Sequence, residues 1–257
     1  MGPATTHATI DAEGQLIVAG SWGPGGDWLA ARLPDFGGRL DTSPAIKAVH
    51  PAVQRAQRNH RYVRLARTGD LYHALLPTIL GQRITAGEAF RQWSTLVHRL
   101  GVPAPGPHPR LRLPPPPEVL ASHPSWAMHR WGIEAKRAST LRAVARHAEQ
   151  MWDWATLTAA DCAGRLAKIP GVGPWTIGSV LGPTLADPDA LAVGDYHVKN
   201  LVSWALAGRA RGTDEQMLEL LSPYAGQRGR VVRQLALDGW RAPAFGPRQR
   251  ILPMASW

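Results

Sequence analysis

The stretch Leu166-Ala-Lys-Ile-Pro-Gly-Val-Gly-Pro-Trp-Thr-Ile-Gly-Ser-Val-Leu181, followed by Val193-Gly-Asp-Tyr-His-Val-Lys199, decides how the rest of the chain is read. Upstream, Leu157-Thr-Ala-Ala-Asp161 has the signature of a helix start. Thr158 is placed as N-cap, Asp161 to reach back in a capping box, and Leu157 to staple onto Cys162. Pro170 ends that helix, because it lacks an N–H and disfavours the helical region for Ile169. Gly171-Val172-Gly173 predicts a tight hairpin whose glycines take positive φ without steric cost. Pro174 then stands where a first helical residue belongs, and Trp175, Ile177, Val180 and Leu181 predict a short helix closed by Gly182-Pro183. Two helices joined in this way leave backbone N–H groups pointing outward at a helix N-terminus, an arrangement suited to one phosphate group. Taken alone, Gly-x-Gly describes an ordinary helical turn equally well.

Asp195 lies 22 residues beyond Gly173 and opens another apolar helix through Val198, Leu201, Val202 and Ala205. An Asp at that place is a helix N-cap. A capping carboxylate still has one oxygen to present to a substrate, so the two roles are compatible.

Composition narrows the partners. The chain has 257 residues, enough for one large domain or two small ones with a substantial core. Lys and Arg number 29 against 19 Asp and Glu, a net charge of +10 that favours polyanionic partners. The single cysteine, Cys162, sits on the apolar side of its helix. It excludes an internal disulfide and a four-cysteine iron–sulfur cluster. Ten histidines are scattered without HExxH or Cys-x-x-Cys spacing, so no metal site is expected. No apolar run is long enough to cross a bilayer, and the N-terminus carries no secretory pattern. A cytoplasmic, nucleoid-associated protein is the expectation.

Working outward, Ala8-Thr-Ile10, an Asp-Ala-Glu-Gly turn and Gln15 to Ala19 read as a short β-hairpin. Asp27 to Leu33 reads as a helix turn, followed by a Gly/Pro/Asp-rich loop. Helical patterning starts near Ala45. Asp70 caps a helix in which Pro77 makes a kink or an early break. Thr85 with Glu88 forms a capping box, and Phe90, Trp93, Val97 and Leu100 form an apolar stripe expected to be core. Pro103 to Pro117 reads as an extended proline-rich linker, with Arg110 and Arg112 solvated or touching a phosphate. Glu134 to Trp152 reads as one helix with Leu141, Val144, Ala148 and Met151 inward and Lys136, Arg137, Arg142 and Arg146 outward. Thr213 and Gln216 cap a helix through Leu221, and Pro223-Tyr224 begins a final helical stretch. The divisions are an N-terminal β-containing segment (1–45), a core (46–240, linker 103–117) and a basic tail (241–257) with Pro247-Arg248-Gln249-Arg250, expected to order only on its ligand.

The string Leu166-x-x-Ile-Pro-Gly-Val-Gly-Pro-Trp-Thr176, with Gly194-Asp-Tyr-x-Val-Lys199, resembles the helix-hairpin-helix DNA glycosylase superfamily. Within it, the resemblance is to the bacterial 3-methyladenine-DNA glycosylase II branch, and it covers roughly residues 50 to 240. Ile79-Leu-Gly-Gln-Arg-Ile-Thr85 is similar to a further string of that family, and Lys136-Arg-Ala to a helix start. The resemblance implies a mainly α fold, a two-lobed helical helix-hairpin-helix glycosylase core with a short N-terminal β-containing segment. It puts the catalytic carboxylate on Asp195 and the phosphate-binding hairpin on Gly171, Val172 and Gly173. It puts a base-pocket tryptophan on Trp175, where members that also nick the backbone carry a nucleophilic Lys, with Tyr196 and Trp131 as further pocket candidates. Gln82, Arg83, Thr176 and Lys199 become DNA-facing candidates. At Arg83 the chain departs from the family's pattern, in which the residue after the first Gln fills the gap left by the everted base. An arginine there either stacks in that gap or bends to a phosphate.

The implied activity is that of a monofunctional DNA N-glycosylase excising alkylated purines of the 3-methyladenine or 7-methylguanine type. Its partner would be damaged double-stranded DNA, bound by a monomer. No cofactor is implied beyond a monovalent cation compatible with the Gly171–Gly173 hairpin. A glycosylase for hypoxanthine, uracil or an oxidised purine, and a non-catalytic helix-hairpin-helix DNA-binding module, are the alternatives.

Overall fold

The structure, a computed structural model, describes residues 2–244; the expected basic tail falls largely outside them. Strands β1 (Thr5–Ile10) and β2 (Leu16–Trp22) pair antiparallel, Thr5 opposite Trp22 and Ile10 opposite Leu16, with Gln15 N–H capping Asp11 Oδ1 in the turn. Helices follow in order: α1 (Gly26–Phe36), α2 (Pro51–Asn59), α3 (Leu71–Leu80), α4 (Ala86–Leu100) and α5 (Pro117–Ser122). After a 3-10 turn at Ser125–Trp131 come α6 (Ala135–Arg146), α7 (Met151–Trp154), α8 (Ala159–Leu166) and α9 (Pro174–Leu185). The last helices among the described residues are α10 (Tyr196–Ala207), α11 (Asp214–Leu220) and α12 (Arg228–Leu237).

Two hydrophobic cores divide these helices into two lobes. The first gathers Leu71, Leu75, Leu76 and Ile79 of α3, Leu96, Leu141, Leu166, Val180 and their neighbours. The second gathers Val53 of α2, Val202, Met217, Leu221, Val231 and Leu235. The mainly α, two-lobed architecture with an N-terminal hairpin is therefore the one expected from the sequence. Cys162 is fully buried, and burial pushes its thiol up to about 11, which fits a packing role.

Several local expectations are corrected. Pro77 neither breaks α3 nor ends it early. Gly182-Pro183 does not close α9, which runs to Leu185 because the loop before α3 caps it: Thr68 and Gly69 donate N–H to Pro183 O and Thr184 O at 3.1 and 2.9 Å. The helix read over 134–152 is two helices. His147 and Ala148 donate back to Val144 O and Ala145 O, a 3-10 tightening that turns the chain before α7. The proline-rich linker is not extended and free: Pro103 bridges Arg112, whose guanidinium donates to Val97 O and Gly101 O at the end of α4. Arg112 thus caps the C-terminal carbonyls of α4 instead of facing solvent.

The largest correction concerns α4. Phe90 is 73% exposed, and the buried face is Glu88, Gln92 and Leu96. The cause is Arg137, expected outward but only 3% exposed. Its Nη1 donates to Leu80 O at 2.7 Å and to Gln92 Oε1 at 2.8 Å. Gln92 Nε2 in turn donates to Gly132 O at 2.6 Å and Glu88 Oε1 at 3.2 Å. A buried guanidinium needs acceptors, so α4 turns its amide and carboxylate inward to supply them. Burial pulls the Arg137 pKa below its usual value, opposed by Glu134 and Glu88. Thr85 still accepts the Glu88 N–H at 3.3 Å, but the Glu88 carboxylate is engaged by Gln92, leaving half of the expected capping box.

Candidate active site

The site is assembled around the turn from α8 into α9. The Thr158 hydroxyl caps α8 through the Asp161 N–H, and Asp161 answers by accepting the Thr158 hydroxyl at 2.7 Å. At the hairpin, Val172 sends its side chain into the core and closes the turn with an N–H to Ile169 O at 3.0 Å. The two glycines differ in kind. Gly171 has φ +89°, and a Cβ there would collide with the Thr140 hydroxyl. Gly173 is extended at φ −105°, ψ −177°, and a Cβ there meets nothing within 4 Å. Only the first is required by the fold, contrary to the expectation of positive φ at both. Among the described residues, the N–H groups of Gly173, Trp175 and Thr176 have no acceptor; Thr176 is buried, so the donors that the start of α9 presents are those of the partly exposed Gly173 and Trp175.

Gln82, at the turn between α3 and α4, fastens that hairpin. Its Nε2 donates to Gly171 O at 3.0 Å and to the Thr176 hydroxyl at 2.9 Å. Both amide hydrogens are thus used within the protein, and Thr176 is buried, 1% exposed. A monovalent cation at the hairpin would share carbonyls of Ile169 and Gly171 that already accept one hydrogen bond each. Arg83, next along, is exposed, unpartnered among the described residues and held at φ +60°, a left-handed conformation uncommon outside glycine.

Asp195 is the N-cap of α10. Its Oδ1 accepts the His197 and Val198 N–H groups at 2.7 and 2.9 Å, and its Oδ2 accepts the indole Nε1–H of Trp175 at 2.8 Å. Three donors therefore fix the carboxylate, with lone pairs remaining on Oδ2. Trp175 links the lobes: its ring edge lies near Gly81 of the first, where an added Cβ would sit 3.7 Å from Cη2, and its indole N–H reaches Asp195 at the start of α10 in the second. The loop bearing Asp195 passes close to α9 and α12 at Gly178 and Gly229, where side chains would collide with the carbonyls of Leu191 and Ala190.

One residue of this assembly was not singled out in the sequence. Asp214, the first residue of α11, accepts Gly194 N–H at 2.9 Å through Oδ1 and Lys199 Nζ at 3.1 Å through Oδ2. It thus ties down the residue before Asp195 and engages the ammonium expected to face DNA. The Thr213–Gln216 capping box, present in full, was the signal that placed Asp214 at a helix start.

These residues line one open cleft of about 1610 Å3. That exceeds the roughly 300–1,000 Å3 of a small-molecule pocket and fits a groove for a polymer. The cleft holds Gly171 to Thr176, Asp195, Tyr196, Gln82 and Arg83, with Phe90 and Trp93 of α4 and the cations Lys136 and Lys168. Tyr196 stands on its lip, 57% exposed with Arg211 over its ring. Trp131 is not brought there: it stacks on His123 at 5.1 Å and packs against the first core. Among the described residues, no group of three or more His, Cys, Asp or Glu is placed to hold a metal, and no helix is long and apolar enough to cross a membrane.

No protein-family model matches the chain, and no curated protein matches it. Solved structures do. A 3-methyladenine DNA-glycosylase from Archaeoglobus fulgidus superposes with a TM-score of 0.73 at 15% identity, over 92% of this chain and 83% of that one. The chain has the helix-hairpin-helix glycosylase fold. A Schizosaccharomyces pombe 3-methyladenine DNA glycosylase, bound to abasic DNA, gives 0.60 at 16% identity over 74% of this chain and 92% of that one. An 8-oxoguanine glycosylase/lyase from Clostridium acetobutylicum gives 0.65 at 12% identity over 90% of this chain and 81% of that one. The glycosylase fold is thus common to neighbours acting on different bases, and at these identities the likeness is one of fold alone.

Proposed function

We propose that the protein is a monofunctional DNA N-glycosylase that everts and releases alkylated purines of the 3-methyladenine or 7-methylguanine type, acting as a monomer on damaged double-stranded DNA. The observation that carries this reading is the Asp195 carboxylate, held by three N–H donors in the same cleft as the outward amides of the α9 start. Breaking an N-glycosidic bond builds positive charge on the deoxyribose ring. A fixed carboxylate stabilises that charge without reorganising at the moment of reaction. At about 4 Å and an effective dielectric of about 20, the attraction is on the order of 4 kcal/mol, about a thousandfold in rate.

The α9 amides would hold a phosphate of the strand being cut, setting the sugar against Asp195. The bond electrons leave with the base, which departs neutral, and water adds to C1′ and gives up one proton to solvent, leaving a free base and an abasic site. An alkylated purine is already cationic, so it departs without a general acid, and one carboxylate suffices. Trp175 stands where the lyase members of the resembled family have a nucleophilic lysine; an indole forms no Schiff base, so the backbone stays intact. An aromatic face also suits a cationic base.

The test is a set of duplexes each bearing one modified base, scored for base release and for strand breaks with and without alkali. Release of alkylated purines, with breaks only after alkali, is expected. Asp195→Asn should bind these duplexes as wild type does but lose at least about a hundredfold in release. Near-normal turnover by that variant overturns the assignment of Asp195, and release of a different base alone overturns the substrate.

A further inference from the structure

Helix α4 is amphipathic the wrong way round. Its N-terminal half buries Glu88 and Gln92 and turns Ala86, Ala89, Phe90 and Trp93 to the cleft. Those four positions follow the i, i+3, i+4, i+7 spacing of a single helix face. Trp93 leans on His73 at 5.9 Å and is partly covered by the first core, whereas the Phe90 ring is 73% exposed. The exposure is enforced, since rotating α4 to bury Phe90 would strip Arg137 of the Gln92 acceptor. A flat apolar ring beside two alanines, bordered in the same cleft by Arg83 and Lys136, has the composition of a base-stacking platform beside phosphate-binding cations.

Position selects which base. Asp195 and the α9 amides fix the strand that carries the scissile bond, and both belong to the α9–α10 side of the cleft. Helix α3 packs against both α4 and α9 and so lies between them, and the Gln82–Arg83 turn leads from α3 into α4. The α4 face therefore meets the complementary strand. We infer that Ala86, Ala89 and Phe90 form a seat for the base opposite the lesion, which loses its pairing partner when the damaged base is everted. This rests on the glycosylase reading above and extends it from one strand to both.

The experiment measures binding, so it is independent of which base is excised. Two duplexes carry the same tetrahydrofuran abasic analogue, one with adenine opposite it and one with an abasic analogue there too. Wild type should bind the adenine duplex about 10-fold more tightly, the scale of one base stacked on an aromatic ring. Phe90→Ala and Phe90→Leu should each lose that preference and bind both duplexes at the weaker level, with unchanged melting because the ring is exposed. Phe90→Trp should keep the preference. Equal weakening of both duplexes by Phe90→Ala, or no change in either, overturns the seat, as does a wild type that ignores the opposite base. Failure of the wild type to bind either duplex instead overturns the DNA reading itself.

Discussion

The α8–α9 hairpin and the α4 wall face each other in one cleft and were written into the sequence in opposite ways. The hairpin is local. Thr158, Pro170, Gly171 and Pro174 each act on residues within one turn of themselves, through a cap, a missing N–H, a positive φ and a preset φ. Helix α4 depends on a partner in α6, Arg137, far along the chain. Periodicity finds an apolar stripe but cannot say whether it faces a core or a cleft, because that depends on what the opposite face is asked to bind. Exposed apolar surface maintained by a buried polar network points to a surface that meets something.

The comparison breaks most sharply at Arg137. If the buried guanidinium sets the rotation of α4, Arg137→Met leaves Leu80 O and Gln92 Oε1 as buried acceptors without a donor. That should cost about 3 kcal/mol. For a chain of this size the loss appears as a fall in Tm of about 10 °C, measured by thermal unfolding. Lys136→Met, an exposed neighbour, should leave Tm within about 2 °C. Equal melting of the two variants would mean that something other than Arg137 orients the helix.

What was legible follows the same division. The β-hairpin, the Asp70 and Thr213 caps and the N-cap position of Asp195 all rest on short-range rules, whereas the two-lobed fold class came from the resemblance. The Asp195–Trp175 bond joins residues from two helices, and the sequence offered Trp175 only as an aromatic face. Gln82, Thr176 and Lys199 were read as facing DNA on the strength of the resemblance. Gln82 instead fastens the hairpin through Gly171 O and Thr176, and Lys199 fastens Asp214. A polar side chain beside a binding loop serves the loop as readily as the ligand, and only the acceptor positions distinguish the two.

The hairpin itself supplies a sharper contrast, between its two glycines. Gly171→Ala forces a strained φ and a collision with Thr140, so it should lower Tm together with all DNA binding. Gly173→Val puts its Cβ where nothing lies within 4 Å and keeps an extended backbone, so it should melt as wild type does. If the α9 amides hold a phosphate, the valine should still weaken binding by about 10-fold, to damaged and undamaged duplexes alike. Wild-type affinity should fall with salt at a log–log slope of about −5, as for five or six phosphate contacts. A Gly173→Val variant that binds normally would move the phosphate elsewhere, and a salt-independent affinity would argue against DNA as the ligand.

The smallest effect is expected at Arg83, where the two regions meet. Its φ of +60° and lack of a partner among the described residues aim an uncommitted cation out of the Gln82–Arg83 turn into the cleft. A planar guanidinium stacks between bases and also donates two hydrogen bonds, so it can fill the gap left by an everted base and meet the orphaned partner. Bending to a phosphate is the competing use of the same charge. The two separate by dependence on sequence and on salt. An inserted Arg83 makes the loss in Arg83→Ala depend on the opposing base. The loss should be about five- to tenfold opposite guanine, whose edge offers two acceptors, and smaller opposite the other three. A phosphate contact makes the loss uniform across opposing bases and lets it fade at high salt. Excision rates against four opposing bases at two salt concentrations decide between them, and a flat, salt-sensitive response assigns Arg83 to the backbone.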